Sequence, residues 1–344
     1  MTILCSQKLT LDCRNKIISG SRDRSVKVWD IKSGLCIKTI SPSVSDATSQ
    51  AEEIDLHSSA LEDGGRALWP ATVPRSQTLP IPASSDIAAP RGSSSMVHQA
   101  SILCLDFDSD ILVTGSSDRT CIVWNVRNNY TPIKRLTHHA GAVLDVCFDS
   151  QHIVSCSKDT TICIWDRETS TTLRRLSGHK GPVNAVQMRG NLIVSTSGDA
   201  LIKLWNLESG RCIREFAGHE RGLACVQFSE DSRLILSGGN DHIIRVWDAN
   251  TGECIRELSG HNRLVRSLHL DTANQRVISG SYDHTVKVFD LSTGHLISDL
   301  QNWTDTWVLS SKADYRRMIC TSQDGKILLL DYGHDLPDCH ILES

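Results

Sequence analysis

The chain is predicted to be all-β, a closed β-propeller of seven four-stranded blades, and three observations carry that expectation. A stretch close to Ser-Gly-Ser-x-Asp-x-Thr-x-x-x-Trp-Asp recurs along it, with turn aspartates at Asp23, Asp118, Asp159, Asp199, Asp241, Asp283 and Asp324. From the second onward the steps are 41, 40, 42, 42 and 41 residues. A period of this length with a Trp-Asp signature is that of a propeller blade, and seven copies mean seven blades. The 344 residues are nearly all used by one such ring, because each repeat buries its apolar face against the next and needs no core of its own.

Residues 1–40 form blade 1, in which Ile3 to Lys8 reads as the first strand. The first step, from Asp23 to Asp118, is 95 residues, one period plus about 54. The excess falls in residues 41–98, which hold six of the nine prolines (Pro42, Pro70, Pro74, Pro80, Pro82, Pro90) and Ser-rich runs at both ends. That composition cannot sustain a blade, and a disordered loop is expected between the last strand of blade 1 and the first of blade 2. It is either a tolerated insertion or, with Ser41-Pro42 as a candidate phosphorylation site, a regulatory arm beside the face that carries the aspartate turns. Residues 99–331 hold blades 2–7. Between Gly218 and Gly260 the alternation marks four strands, around Leu223 to Phe228, Leu234 to Ser237, Ile243 to Trp247 and Glu253 to Leu258. Ser-Glu-Asp, Asn-Asp and Asn-Thr-Gly clusters supply the reversals between them. Residues 332–344 form a C-terminal tail in which Cys339 to Leu342 could close blade 7; the alternative is a closing strand outside this chain.

A second series accompanies the aspartates. His98, His139, His179, His219 and His261 precede Asp118, Asp159, Asp199, Asp241 and Asp283 by 20, 20, 20, 22 and 22 residues. A hydroxyl stands four residues before the aspartate at Ser19, Thr114, Ser155, Ser195, Ser237 and Ser279, and the motif tryptophans include Trp124, Trp165, Trp205 and Trp247. This pattern resembles the WD40 family, whose blades are locked by a buried His, Ser or Thr, Asp and Trp hydrogen-bond chain. A buried carboxylate is tolerable only when several donors satisfy it, and such a network specifies one blade geometry. The same residues are not catalytic triads, since a triad is one constellation per active site rather than five copies. No catalytic residue, cofactor or zinc site is therefore expected; the His and Cys residues lack the paired short spacings of a zinc ligand set. The seventh repeat is degenerate, with Trp303 in place of the His, Cys320 of the hydroxyl and Leu330 of the tryptophan.

The net charge of −4 gives no global attraction to nucleic acid or to an anionic membrane, so an anion site must come from local clustering. No stretch approaches 18 apolar residues, and no membrane span is expected. The 13 cysteines, several within strand patterns, read as small buried apolar residues of a reducing compartment, which with no signal peptide points to the cytoplasm or nucleus.

Ligands of a propeller meet the end of the ring where aspartate turns and inter-blade loops gather. Two positions per blade face that mouth. The residue before each turn aspartate is Arg22, Ser117, Lys158, Gly198, Asn240, Tyr282 and Gln323; the second residue of each first strand's apolar pair is Leu4, Leu103, Leu144, Asn184, Ala224, Arg266 and Leu309. Arg22, Lys158 and Arg266 converge there, joined by Arg221 from the loop before blade 5, and no acidic residue occupies either position. Converging guanidinium forks with Ser, Asn and Tyr donors suit a phosphate or carboxylate; a scatter of surface arginines is the bland alternative.

Ile17 to Asp23, Ser101 to Leu105, Thr114 to Asp118, Gly218 to Cys225 and Leu264 to Ser267 resemble the propeller of the beta-transducin repeat containing protein family and its fungal relatives. These are F-box and WD40 substrate receptors of SCF-type (cullin-RING) ubiquitin ligases. The resemblance implies a phosphodegron pocket at Arg22, Ser101, Ser117, Arg221, Gly222 and Arg266, lined by Leu144, Asn184, Ala224 and Tyr282. The implied ligand is a phosphorylated substrate protein presenting an Asp-Ser-Gly-x-x-Ser segment, each phosphate bringing about −1.5 to −2 charges. Two departures stand out, Leu4 in place of a tyrosine and Trp307 in place of a basic residue. No F-box precedes blade 1, so docking on Skp1 and cullin is expected only through a segment this chain lacks. The alternative is a general WD40 scaffold of another complex, in RNA processing, transport or chromatin.

Overall fold

The computed structural model describes residues 16–31, 33–41, 96–314 and 317–331, and the backbone of residues 9–12. They form seven antiparallel sheets whose strands follow chain order, six of four strands and one of three. The first strands, Leu9–Asp12, Ile102–Phe107, Val143–Phe148, Val183–Arg189, Leu223–Phe228, Val265–Asp271 and Val308–Ala313, each neighbour the next around one axis. The last of them, Val308–Ala313, neighbours Leu9–Asp12, and the ring is closed. The protein is thus an all-β seven-bladed propeller. In the fifth repeat the four strands are Leu223–Phe228, Leu234–Gly239, Ile244–Asp248 and Cys254–Leu258, within two residues of the alternation pattern.

The core consists of one apolar layer in each seam between blades. Between blades 3 and 4, for example, Val154, Ile162 and Ile164 pack on Val183, Val186 and Trp205. Comparable layers join blades 5 and 6, 1 and 2, 2 and 3, 4 and 5, and 6 and 7. In the seam between blades 7 and 1, Ile17 and Ile319 are buried among the described side chains, with Trp29, Ile31 and Ile327 around them. Seam contact is close enough to demand glycine at Gly115, where a Cβ would stand 2.5 Å from Cys104 Sγ and 2.7 Å from Val143 Cγ1 of the next blade. Cys121, Cys156, Cys163, Cys225 and Cys320 are among the buried free thiols of these layers. Burial pushes Cys163, Cys225 and Cys320 up to about 12, which keeps them protonated and unreactive.

The turn between the second and third strands explains the recurring aspartate. The residue after it lies in the left-handed region in every described blade: Arg24, Arg119, Thr160, Ala200, His242 and His284 at φ 66 to 71°, and Gly325 at 85°. The aspartate carboxylate accepts the N–H two residues on, as Asp118 does from Thr120 at 3.0 Å and Asp199 from Leu201 at 3.1 Å, and so fixes the strained turn. Six non-glycine residues in this region each carry a cost of about 1 kcal/mol. Ala200→Gly is therefore expected to stabilise the fold by up to about 1 kcal/mol, read as a higher urea midpoint at unchanged slope.

Two expectations need revision, and three lie outside the described residues. The first strand of blade 1 is Leu9–Asp12, paired Leu9 with Ser19 and Asp12 with Lys16, rather than Ile3 to Lys8. With Asp12 paired to Lys16 only three residues separate the two strands in the chain, whereas a strand ending at Lys8 would leave about seven, more than a hairpin uses. Leu4 is outside the described residues, as are the insertion from residue 42 to residue 95 and the tail from residue 332. Blade 2 takes in residues from before 99: His98 is buried and Arg135 donates to the Val97 carbonyl.

Candidate functional site

Beneath the face of the ring that carries the aspartate turns lie the hydrogen-bond chains that shape it. In blade 2, Trp124 Nε1 donates to Thr114 Oγ1 (2.9 Å), Thr114 Oγ1 lies 2.8 Å from His98 Nε2, and His98 Nδ1 lies 2.9 Å from Asp118. The directions agree if Nδ1 carries the imidazole proton and donates to the carboxylate while Nε2 accepts from the hydroxyl. The chain recurs as Trp165, Ser155, His139 and Asp159. It recurs again as Trp205, Ser195, His179 and Asp199, and as Trp247, Ser237, His219 and Asp241. Blade 6 keeps His261, Ser279 and Asp283, with Phe289 where the indole would be. Sequence reading overlooked further donors: Thr120, Thr161 and Thr285 hydroxyls on the aspartates of blades 2, 3 and 6, and Arg245 Nη1 on Asp241 at 2.7 Å. Their signal was present, as a hydroxyl two residues after Asp118, Asp159 and Asp283 and a cation four residues after Asp241. Blade 7 differs in kind, since Asp324 pairs with Ser322 and Lys326 and its N–H donates to Thr306 Oγ1.

Burial raises the carboxyl of Asp118, Asp159, Asp199, Asp241 and Asp283, but the hydrogen bonds from His and neighbouring N–H and O–H groups outweigh it and hold all five below the ordinary 3.8, Asp241 at about 2. Two imidazoles are pushed down as well. Burial, helped by Lys203, lowers His179 despite Asp199 and Glu215; burial and then Lys312 bring His269 to about 3 despite Asp271. Groups with depressed folded values bind more protons when unfolded, so both kinds subtract stability on acidification. Stability should be flat above pH 6.5, decline between pH 6.5 and 4 through the histidines, and fall steeply below pH 4 through the aspartates. Urea denaturation from pH 7 to pH 3 checks this, and His269→Leu should remove roughly 2 to 3 kcal/mol of the decline between pH 6.5 and 4.

The mouth itself is set by a repeated irregularity. In blades 2 to 7 the inner strand carries a bulge one residue from its start, leaving Leu103, Leu144, Asn184, Ala224, Arg266 and Leu309 out of the ladder. Bulges re-aim side chains, and these six all line one axial cavity of about 170 Å³ together with Asp106, Asp145 and Lys312. The residue before each turn aspartate is held beside the mouth. Its N–H donates to the carbonyl of the residue preceding the inner strand of the same blade, as from Ser117 to Ser101, Lys158 to Ala142, Asn240 to Gly222, Tyr282 to Leu264 and Gln323 to Trp307.

Arg22, Lys158 and Arg221 are exposed on this face and Arg266 is half-buried, its Nη1 3.4 Å from the Ala224 carbonyl. Other expected contacts are already committed to the scaffold. Ser101 Oγ donates to the Arg22 carbonyl (3.2 Å), Ser117 Oγ to the Ser101 carbonyl (3.3 Å) and Asn184 Nδ2 to the Leu223 carbonyl (2.6 Å). Each hydroxyl has one proton to give, so Ser101 and Ser117 meet an anion only by exchanging these bonds. Carboxylates reach the face too, with Glu220 and Asp305 exposed in the loops entering blades 5 and 7. At the seam of blades 6 and 7, Tyr282 stacks on Trp307 with ring centroids 4.3 Å apart and planes 7° apart.

A closed ring of seven blades, with recurring hydrogen-bond locks below and a variable mouth above, defines a propeller whose blade ends are a recognition surface. The chain belongs to the WD40 family: the model of the WD domain, G-beta repeat matches residues 7–30, 93–125, 130–166, 170–206, 210–248 and 252–290. It is a WD40 propeller, a protein-interaction module. The unmatched seventh repeat is the blade in which Asp324 has exchanged its histidine for Lys326. No curated protein matches the chain.

Proposed function

We propose that this propeller binds phosphorylated peptide segments across its mouth as the non-enzymatic substrate-recognition part of an SCF-type ubiquitin ligase. The observation that carries the reading is the convergence of Arg22, Arg221 and Arg266, with Lys158, on one ring end of a chain whose net charge is −4. Guanidinium forks bind phosphate oxygens in pairs, and a half-buried Arg266 beside the axial cavity meets its ligand in a lower dielectric than a surface charge would. Ala224 lines the axial cavity beside Arg266, while Gly222 packs on the preceding blade, where a Cβ would stand 3.1 Å from the Gly198 backbone.

Titration of a phosphorylated peptide and its unphosphorylated twin tests the binding half, and equal affinity for the two would overturn it. The ligase half is tested by pull-down from lysate with the longest product of the gene: recovery of Skp1 or a cullin supports it, and recovery of neither overturns it. The second reading, a scaffold for an unmodified peptide, is favoured by the prior engagement of Ser101, Ser117 and Asn184. It predicts binding that is insensitive to phosphatase treatment of the partner.

A further inference from the structure

The residue preceding each inner strand is Ser101, Ala142, Pro182, Gly222 and Leu264 in blades 2 to 6, small or aliphatic every time, and Trp307 in blade 7. Its indole meets Tyr282 of blade 6, which holds the position that carries Arg22 and Lys158 in blades 1 and 3. Both rings are only partly buried, and the stack bridges two blades at the end of the mouth next to the inner strand that bears Arg266. The mouth therefore has two chemistries, a cationic arc and an aromatic ledge.

The face of an aromatic ring carries the negative end of its quadrupole and repels a phosphate, while it accepts aliphatic, prolyl and aromatic groups over a large rigid area. Trp and Tyr with Arg are also the residues that dominate binding energy at interfaces. We infer that the Tyr282–Trp307 ledge is a specificity subsite for an apolar or aromatic side chain of the same peptide whose phosphate rests on the arginines. The preferred ligand then carries one phosphate and one apolar anchor rather than two phosphates. This rests on the phosphopeptide reading above and adds to it the chemistry of the second anchor.

The test is a set of fluorescein-labelled peptides with one fixed phosphoserine and a second residue, Leu, Phe, Asp or phosphoserine, stepped through the flanking positions. Anisotropy titrations against the wild-type protein should show the Leu or Phe peptides binding about tenfold or more tighter than their Asp and doubly phosphorylated counterparts at one spacing. Trp307→Ala should erase that preference while leaving the dependence on the fixed phosphoserine, and Trp307→Arg should turn it towards the doubly phosphorylated peptide. Thermal unfolding of both variants controls for folding, and Tyr282→Ala is a second route to removing the stack. Binding that needs the phosphoserine but ignores the second residue, or ignores Trp307, overturns this inference and leaves the phosphopeptide reading standing. Loss of any dependence on the phosphoserine overturns both.

Discussion

Asp283→Ala should cost the fold about 3 kcal/mol, and Asp324→Ala less than about 1 kcal/mol, although the two aspartates occupy the same place in successive repeats. Asp283 has a side chain 4% exposed and accepts from His261 Nδ1 (2.7 Å), Asn262 N (3.2 Å), Thr285 N (3.0 Å) and Thr285 Oγ1 (2.7 Å). Removing it leaves four donors around a buried void, and each unsatisfied buried donor costs roughly 1 to 3 kcal/mol before relaxation. Asp324 is 27% exposed and its ion-pair partner Lys326 is 57% exposed, so water replaces what the substitution removes. Urea denaturation of the two variants side by side is the measurement. Comparable losses would mean that blade geometry is set by the seam layers and not by the hydrogen-bond chain. The Asp283→Ala variant should also lose stability less steeply below pH 4, because one of the depressed carboxyls is gone.

Arg266→Ala should cost phosphopeptide binding roughly 2 to 5 kcal/mol, the range for stripping one partner from a desolvated charge pair. Lys158→Ala should cost about 1 kcal/mol or less, since Lys158 is exposed and its charge is screened. The two are separable by salt. Raising ionic strength should erase most of the Lys158 contribution and leave most of that of Arg266, which lies half-buried where the bulge turns it to the axis. Titration of one phosphopeptide at low and high salt against both variants decides the matter. A larger loss for Lys158→Ala would put the phosphate on the rim and away from the axis.

Much of this was legible in the chain. The step between aspartates is a covalent distance, and one blade of four short strands consumes about that many residues, so the seven blades could be counted from Asp23 to Asp324 once the long first step was read as a period plus an insertion. The His, hydroxyl and Asp offsets were equally legible, because the hydrogen-bond chain spans a fixed number of ladder positions in each blade. The mouth positions before each aspartate could be read off for the same reason. Less legible was the first strand of blade 1, where Ile3 and Leu4 imitate an inner strand in the sequence but Leu9–Asp12 pairs with Lys16–Gly20. The prior commitment of Ser101, Ser117 and Asn184 was invisible, since their partners lie as far off as Arg22 in the preceding blade and Leu223 in the following one.

The sequence by itself therefore determined the fold, the number of blades and which positions repeat, because all three follow from periodicity, a property of one chain read locally. The tertiary structure alone decided which of the non-repeating positions touch one another. It brought Tyr282 and Trp307, 25 residues apart in the chain, into a 4.3 Å stack, and it turned six bulge residues from six strands onto one axis. Such convergence arises when the ring closes, and closure depends on seam packing between blades that no single repeat encodes.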